Sequence, residues 1–301
     1  MNLKEETIKK IMKCVGPESV LEQEPMKLHT SMEVGGPAAY FIQPESEEAL
    51  VSLVRILKEE EIPFYIKGNG SNLIVRDCGY DGVMIETTKL NRITTEGSLV
   101  TAQCGALLKE IAKETVKQSL SGFEFASGIP GSLGGAITMN AGAYDGEMKD
   151  IVKEVVLLDK DGTVVTKAGA EMDFSYRHSL CSGGDFIVLS ATFLLVPGKR
   201  EEIQEKIDDL SRRREEKQPL EYPSCGSTFK RPEGYFAGKL ITDAGLKGFQ
   251  LGGAQVSEKH AGFIINRDNA SAGEILALIR KVQETVKEKF GVELVCEVKV
   301  I

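Results

Sequence analysis

Apolar residues recur at helical intervals in five stretches of this 301-residue chain. Ile8, Ile11, Met12 and Val15 mark the first, within residues 4–22, where Gly16-Pro17 interrupts and a second short helix is expected. Leu50, Leu53, Val54 and Leu57 form the apolar stripe of a helix between Pro44 and Pro63, with acidic residues at its start. Leu108, Ile111 and Ala112 predict a helix over Gly105–Lys117, and Ile203, Ile207 and Leu210 one over 199–217. The last begins at Ser271, with Glu274 completing a capping box and Gly291 closing it; Ile275, Leu276, Ile279, Val282 and Val286 make its buried face.

Between these stretches the pattern shortens to that of strands. They are expected at Ala39–Ile42, Phe64–Ile66, Leu73–Val75, Gly82–Glu86, Leu99–Ala102, Val152–Leu158, Thr163–Thr166 and Phe186–Val196. Asp161-Gly162 marks a hairpin turn. Phe64–Val75 reads as strand, tight turn, strand, for which an ordinary hairpin turn is one explanation. The terminal run is expected as a strand with Val292, Leu294, Cys296, Val298 and Val300 on one face and Glu293, Val295, Glu297, Lys299 and Ile301 on the other. Strand pairs and separated helices predict an α+β fold. Three regions are expected: a helical arm over 1–28, a first domain over 29–198 with lobes 29–88 and 89–198, and a second domain over 199–301.

One stretch fits neither period. Phe125–Tyr144 carries no charge, although 27% of the chain is charged, and it contains five glycines. Glycine lets backbone approach a ligand closely, and exposed N–H groups suit phosphate oxygens, so the stretch reads as a backbone cradle for a phosphorylated ligand. A glycine-rich turn region in an ordinary sheet would carry the same letters. Pro130, Asn140 and the glycines exclude a membrane span. A second uncharged turn, Gly68-Asn69-Gly70-Ser71-Asn72, is followed by Leu-Ile-Val rather than a helix, which excludes the dinucleotide-binding turn. No lysine precedes Ser or Thr, so there is no P-loop, and no serine sits in a nucleophile elbow.

A net charge of −8 argues against nucleic acid as the main partner. Six dispersed cysteines lack zinc-ligand spacing, and His29, His178 and His260 are isolated, so no metal is expected. The charged N-terminus has no signal-peptide core, which points to the cytoplasm and to no membrane insertion. Three polar residues stand out by context: Arg177 in FSYRHS, Ser227 beside Gly226, and Glu297 in the apolar terminal run. A surface ion pair, a turn serine and an outward strand face explain each singly.

Taken in order, GNGSNLIV, SGIPGSLGGAITMNAGAY, SYRHS, CGSTFKRP and LVCEVKV closely resemble the UDP-N-acetylenolpyruvoylglucosamine reductase family. These are flavoenzymes of bacterial cell-wall precursor synthesis. The resemblance runs from about residue 29 to the end and implies a two-lobed flavin domain of the p-cresol methylhydroxylase type plus a substrate domain. It implies non-covalent FAD held by Gly68, Asn69, Gly70, Ser71 and Asn72 and by Gly128, Ile129, Pro130, Gly131, Gly134 and Gly135, with Met139, Asn140, Gly142 and Ala143 near the flavin. NADPH is implied as reductant and a nucleotide sugar as substrate. Ser227 matches the family's proton donor, and Arg177 and Glu297 its charge-stabilising residues. Lys217 matches a diphosphate contact, and Tyr176, Tyr222, Lys230 and Arg231 are substrate candidates. The chain resembles the shorter form of the family, lacking an insertion that lays a tyrosine over the substrate. Another oxidoreductase of the same fold, or a non-catalytic flavin or nucleotide-sugar binder, would share part of this pattern.

Overall fold

Gly16 ends the first helix at φ 87°, and the chain beyond it turns into a strand rather than a second helix. The structure, a computed structural model, describes Met1 and Leu3–Ile301. Seven α-helices are described: α1 (Glu5–Val15), α2 (Glu47–Glu59), α3 (Leu108–Lys117), α4 (Leu133–Thr138), α5 (Arg200–Lys217), α6 (Ala237–Asp243) and α7 (Ala272–Phe290). Chain contacts group the residues into two compact units. One comprises Met1–Glu22, Tyr40–Asn69 and Gly82–Arg213, and the other Gln23–Ala39, Gly70–Asp81 and Arg214–Ile301.

In the first unit the expected stripe of α2 is wholly buried, and α1 lies against that helix. Ser46 caps α2 by accepting from the Ala49 amide. The strand Phe64–Lys67 pairs in parallel with Val83–Glu86. A five-stranded antiparallel sheet runs in the order Val164–Ala168, Val152–Leu158, Ile187–Leu194, Leu99–Gln103, Ile93–Glu96. Its outer hairpin turns at Asp161-Gly162 as expected. Asp159 Oδ1 accepts from the Asp161 and Thr163 amides, and Gly162 stands at φ 78°.

The second unit has a four-stranded antiparallel sheet, in the order Ser224–Ser227, Phe263–Asn266, Ala254–Val256, Gln250–Leu251. It packs on α7 through Ile275, Leu278, Val282 and Val286, all fully buried. Each such side chain contributes roughly 1.5–3 kcal/mol by leaving water. The N-terminus of α7 is fully satisfied. Asp77 accepts from the Ala272 and Gly273 amides at 2.9 and 2.8 Å, and Ser271 Oγ accepts from Glu274 N at 3.1 Å. Gly291 closes the helix at φ 69°.

Four expectations need correction. Residues 4–22 are not helical throughout: after a 3-10 turn at Pro17–Ser19, Val20–Pro25 is a strand. Phe64–Val75 is not a hairpin, because Leu73–Ile74 pairs in parallel with Lys299–Val300 while Phe64–Lys67 joins another sheet. The terminal run forms a ladder only at Lys299–Val300, although Leu294 and Val298 on its expected inner face are buried. The uncharged stretch, whose letters fit neither period, contains a helix, α4.

Removing either partner at the head of α7 tests the capping account. Ser271→Ala and Asp77→Ala should each lower unfolding free energy by about 1 kcal/mol. Urea unfolding should show a lower midpoint at unchanged slope. An unchanged midpoint for Asp77→Ala would remove the long-range cap from the account.

Candidate functional site

Gly68 and Asn69 of the first glycine loop meet the second loop inside the first unit. Asn69 Nδ2 donates to the Pro130 carbonyl at 2.7 Å, and a Cβ built on Gly68 would stand 1.8 Å from Ser132 Oγ. Backbone bonds then lock the second loop from below. Leu108 N donates to Gly131 O, Leu133 N to Ala106 O, and Gly134 N to Cys104 O at 3.1, 2.9 and 2.7 Å. The last two use the first two amides of α4, which no helical bond can satisfy. The two neighbouring glycines serve different ends. A Cβ on Gly134 would stand 3.1 Å from Cys104 Cβ, so Gly134 permits packing. A Cβ on Gly135 would meet nothing within 4 Å, and Gly135 is exposed. Gly135 therefore opens the helix start onto free space. Gly128, Ile129 and Gly131 are half-buried there, and Pro130 is exposed.

Behind the first loop lies a buried ion pair that the periodicity did not reveal. Lys67 Nζ bonds Glu86 Oε1, and the other carboxylate oxygen accepts from Gln43 at 2.6 Å and Thr88 at 2.9 Å. Burial pushes the Lys67 amine down despite Glu86. Burial also works to raise Glu86, but Lys67, Gln43 and Thr88 together hold its carboxyl below the usual range.

Past α4 the chain forms a small hairpin, Gly142–Ala143 on Gly146–Glu147. Its turn residues Tyr144 and Asp145 have φ 50° and 65°, the left-handed pair that such turns require and that Asn-Gly usually fills. Tyr144 Oη donates to the Leu210 carbonyl of α5 at 3.2 Å. Met139 is half-buried at the end of α4, and Asn140 is fully buried.

Arg177 sits in a two-residue turn closed by paired bonds between Ser175 and His178, both 3.1 Å. It adopts φ 55°, a strained region for a side chain of this size. Its guanidinium lies 5.1 Å from the ring centre of Tyr176, which is exposed. The flanks of this turn are tied to α4. Asn140 Nδ2 donates to the Ser175 carbonyl at 3.1 Å, and Ser179 Oγ and Ser182 Oγ donate to Thr138 O at 2.8 and 3.0 Å.

The second unit carries Ser227 and Glu297. Gly226, at φ 71°, breaks the strand register and leaves Ser227 exposed. Thr228 is buried, with its Oγ1 accepting from Ile264 N. Thr228 O accepts from Glu297 N at 2.8 Å, and Val295 O accepts from Lys230 N at 2.8 Å. The terminal run is thereby laid beside residues 228–230, which puts Glu297 against the residue following Ser227. Asn72 adds a second tie, its Nδ2 donating to Glu297 O at 3.2 Å and its carbonyl accepting from Lys299 N at 3.1 Å. Gly70 makes this possible at φ 68°, where a Cβ would fall 2.2 Å from the His29 carbonyl. Ser71 is half-buried beside it. Cys225 is no nucleophile, since burial pushes its thiol up to about 12.

The substrate candidates divide similarly. Lys217 is exposed at the end of α5. Tyr222 is half-buried under the Arg267 guanidinium, 5.1 Å away, and Arg231 stacks on Phe236 at 4.1 Å. Lys230 is half-buried. Arg267 was not expected; it stands alone in the sequence, and only its bond to Gln255 and its stacking reveal it. Among the described residues, no three His, Cys, Asp or Glu are grouped to hold a metal ion. No helix among them is long and apolar enough to cross a membrane.

Known proteins with this arrangement are numerous. Residues 38–167 match the FAD binding domain family, and residues 218–301 match the C-terminal domain family of UDP-N-acetylenolpyruvoylglucosamine reductase. The UDP-N-acetylenolpyruvoylglucosamine reductase of Clostridium perfringens is 50% identical over 301 residues, covering 100% of this chain and 99% of that protein. The enzyme of that name from Caldanaerobacter subterraneus is 53% identical over 278 residues, 92% of each chain. The crystal structure of UDP-N-acetylenolpyruvylglucosamine reductase from Thermus caldophilus superposes with a TM-score of 0.80 at 34% identity, covering 93% of this chain and 98% of that one. A glucose dehydrogenase, Phl p 4, shares the fold over 64% of this chain and 44% of its own, at a TM-score of 0.50 and 17% identity. The α+β expectation with a flavin domain of the p-cresol methylhydroxylase type holds. Half of all positions are identical to a reductase along the entire chain, so the chain belongs to the UDP-N-acetylenolpyruvoylglucosamine reductase family.

Proposed function

We propose that this chain reduces UDP-N-acetylglucosamine enolpyruvate to UDP-N-acetylmuramate in peptidoglycan precursor synthesis, with FAD as cofactor and NADPH as reductant. Family membership over the whole length carries the reading. The first unit fits FAD on its own geometry. Gly135 exposes the start of α4 with nothing beyond the adjoining helix backbone within 4 Å of where a side chain would begin, and the Asn69–Pro130 bond holds the two loops together beside it. Gly68, Asn69 and residues 128–135 would hold the pyrophosphate, together with Gly70, Ser71 and Asn72, while Met139, Gly142 and Ala143 would border the flavin. Residues 29–198 would serve the cofactor and 199–301 the nucleotide sugar, with the terminal run returning to the active site.

When bound, FAD would supply two-electron hydride chemistry between NADPH and the enolpyruvyl carbon β to the carboxylate. The protein's part is to meet the charge that this addition leaves next to the carboxylate. Arg177 remains cationic throughout and offers a rigid fork of donors to the carboxylate and the developing charge. Glu297 acts with it at that charge. Ser227 Oγ donates the proton to the carbon α to the carboxylate. A hydroxyl is a weak acid, but a carbanion is a strong base, so a positioned serine suffices. Its exposure beside Gly226 leaves that hydroxyl accessible. Tyr176, Lys217, Tyr222, Lys230 and Arg231 would contact the substrate, the cationic ones meeting its diphosphate.

Two variants test separate parts of this reading. Ser227→Ala should still be bleached by NADPH, while turnover falls roughly 10²–10⁴-fold. Near-wild-type turnover would exclude Ser227 as the acid. Gly135→Leu should fold, since its side chain enters free space, yet purify without flavin. A yellow, active Gly135→Leu protein would contradict the cradle. Gly134 is a less clean probe, because a side chain there also disturbs Cys104.

A further inference from the structure

Asn140 is fully buried and left-handed at φ 42°, and each of its polar side-chain atoms is already bonded within the protein. Its Nδ2 donates to Glu147 Oε2 and to Ser175 O, both at 3.1 Å, and its Oδ1 accepts from Lys149 N at 3.0 Å. A buried amide is costly to leave unpaired, so such a residue persists where its bonds specify something. These bonds join three segments: the end of α4, the Gly146–Glu147 strand and the turn that bears Arg177.

That turn is held on both sides. Ser175 is tied through Asn140, and Ser179 through the Thr138 carbonyl. Glu147 is half-buried; its Oε2 also accepts from Lys149 Nζ at 2.7 Å, and Asp150 closes a capping box with it. The carboxyl of Glu147 is held below its usual range, first by Lys149, then by Asn140 and the charge of Arg177, against the opposing effect of burial. The Glu147 carboxylate is thus bonded by the same amide that holds the Ser175 carbonyl of the Arg177 turn.

We propose that Asn140 and Glu147 are positioning residues for Arg177. Asn140 pins the turn to the end of α4, and Glu147 holds the Asn140 amide in the orientation that reaches Ser175. The inference rests on the assignment of Arg177 to charge stabilisation in the reduction of the enolpyruvyl group. It also gives Asn140 a role other than flavin contact, although the residue lies in the stretch implied to border the flavin.

The test separates the two half-reactions in the FAD-loaded protein. Glu147→Gln keeps shape and removes charge; Asn140→Asp keeps shape and replaces the shared donor by an acceptor. Both should retain FAD and be bleached by NADPH within about twofold of wild type, while reoxidation by the enolpyruvyl substrate slows roughly 100-fold, the cost of misplacing a catalytic group by about 1 Å. Arg177→Lys should show the same selective loss, and Glu147→Gln combined with Arg177→Lys should be no slower than the slower single variant. Wild-type reoxidation in Glu147→Gln beside a slow Arg177→Lys would overturn the positioning role alone. Loss of FAD or of bleaching in both Glu147→Gln and Asn140→Asp would overturn it in favour of a scaffold role. Wild-type reoxidation in Arg177→Lys would remove the assignment of Arg177, and this inference with it.

Discussion

Close backbone approach around α4 is the constraint on which the first unit depends. A helix of six residues has little stability alone, because nucleation is costly and glycine is a poor helix former. This one is held by bonds from outside it. Cys104 and Ala106 carbonyls take its first amides, and Ser179 and Ser182 take the Thr138 carbonyl at its other end. A Cβ at Gly134 would crowd Cys104, and one at Gly68 would collide with the Ser132 hydroxyl. The same short helix is therefore tied to Cys104 and Ala106 at one end and to the flanks of the Arg177 turn at the other.

The second unit follows a different logic. Its core is an ordinary sheet packed on α7, and precision comes from the way the terminal run is threaded beside it. Thr228, Lys230 and Asn72 hold the main chain of that run, and with it the position of Glu297. Ser227 is exposed because Gly226 distorts the strand that carries it. Both side chains therefore sit on constrained main chain.

Local signals were read correctly where the physics is local. The cap of α7 at Ser271 and Glu274, its stop at Gly291, the buried stripe of α2 and the Asp161-Gly162 hairpin all follow from neighbours a few residues apart. What escaped reading is set by distant partners. Phe64–Lys67 and Leu73–Ile74 looked like one hairpin, yet each pairs with a strand remote in sequence or in another sheet. The cap from Asp77 on α7 spans 195 residues. α4 has glycine-rich letters that suggest turns, and only its external bonds make it a helix. Arg177, Ser227 and Glu297 stood out by context, but their roles came from resemblance; the left-handed φ of Arg177 and the buried bonds of Asn140 have no sequence signature.

The central claim is that this chain passes electrons from NADPH through flavin to an enolpyruvyl nucleotide sugar. Anaerobic absorbance spectroscopy of the purified protein addresses it directly. NADPH should bleach the yellow flavin, and UDP-N-acetylglucosamine enolpyruvate added without oxygen should restore the colour as UDP-N-acetylmuramate forms. A colourless protein, or a bleached flavin that the enolpyruvyl substrate leaves unchanged, would contradict the account.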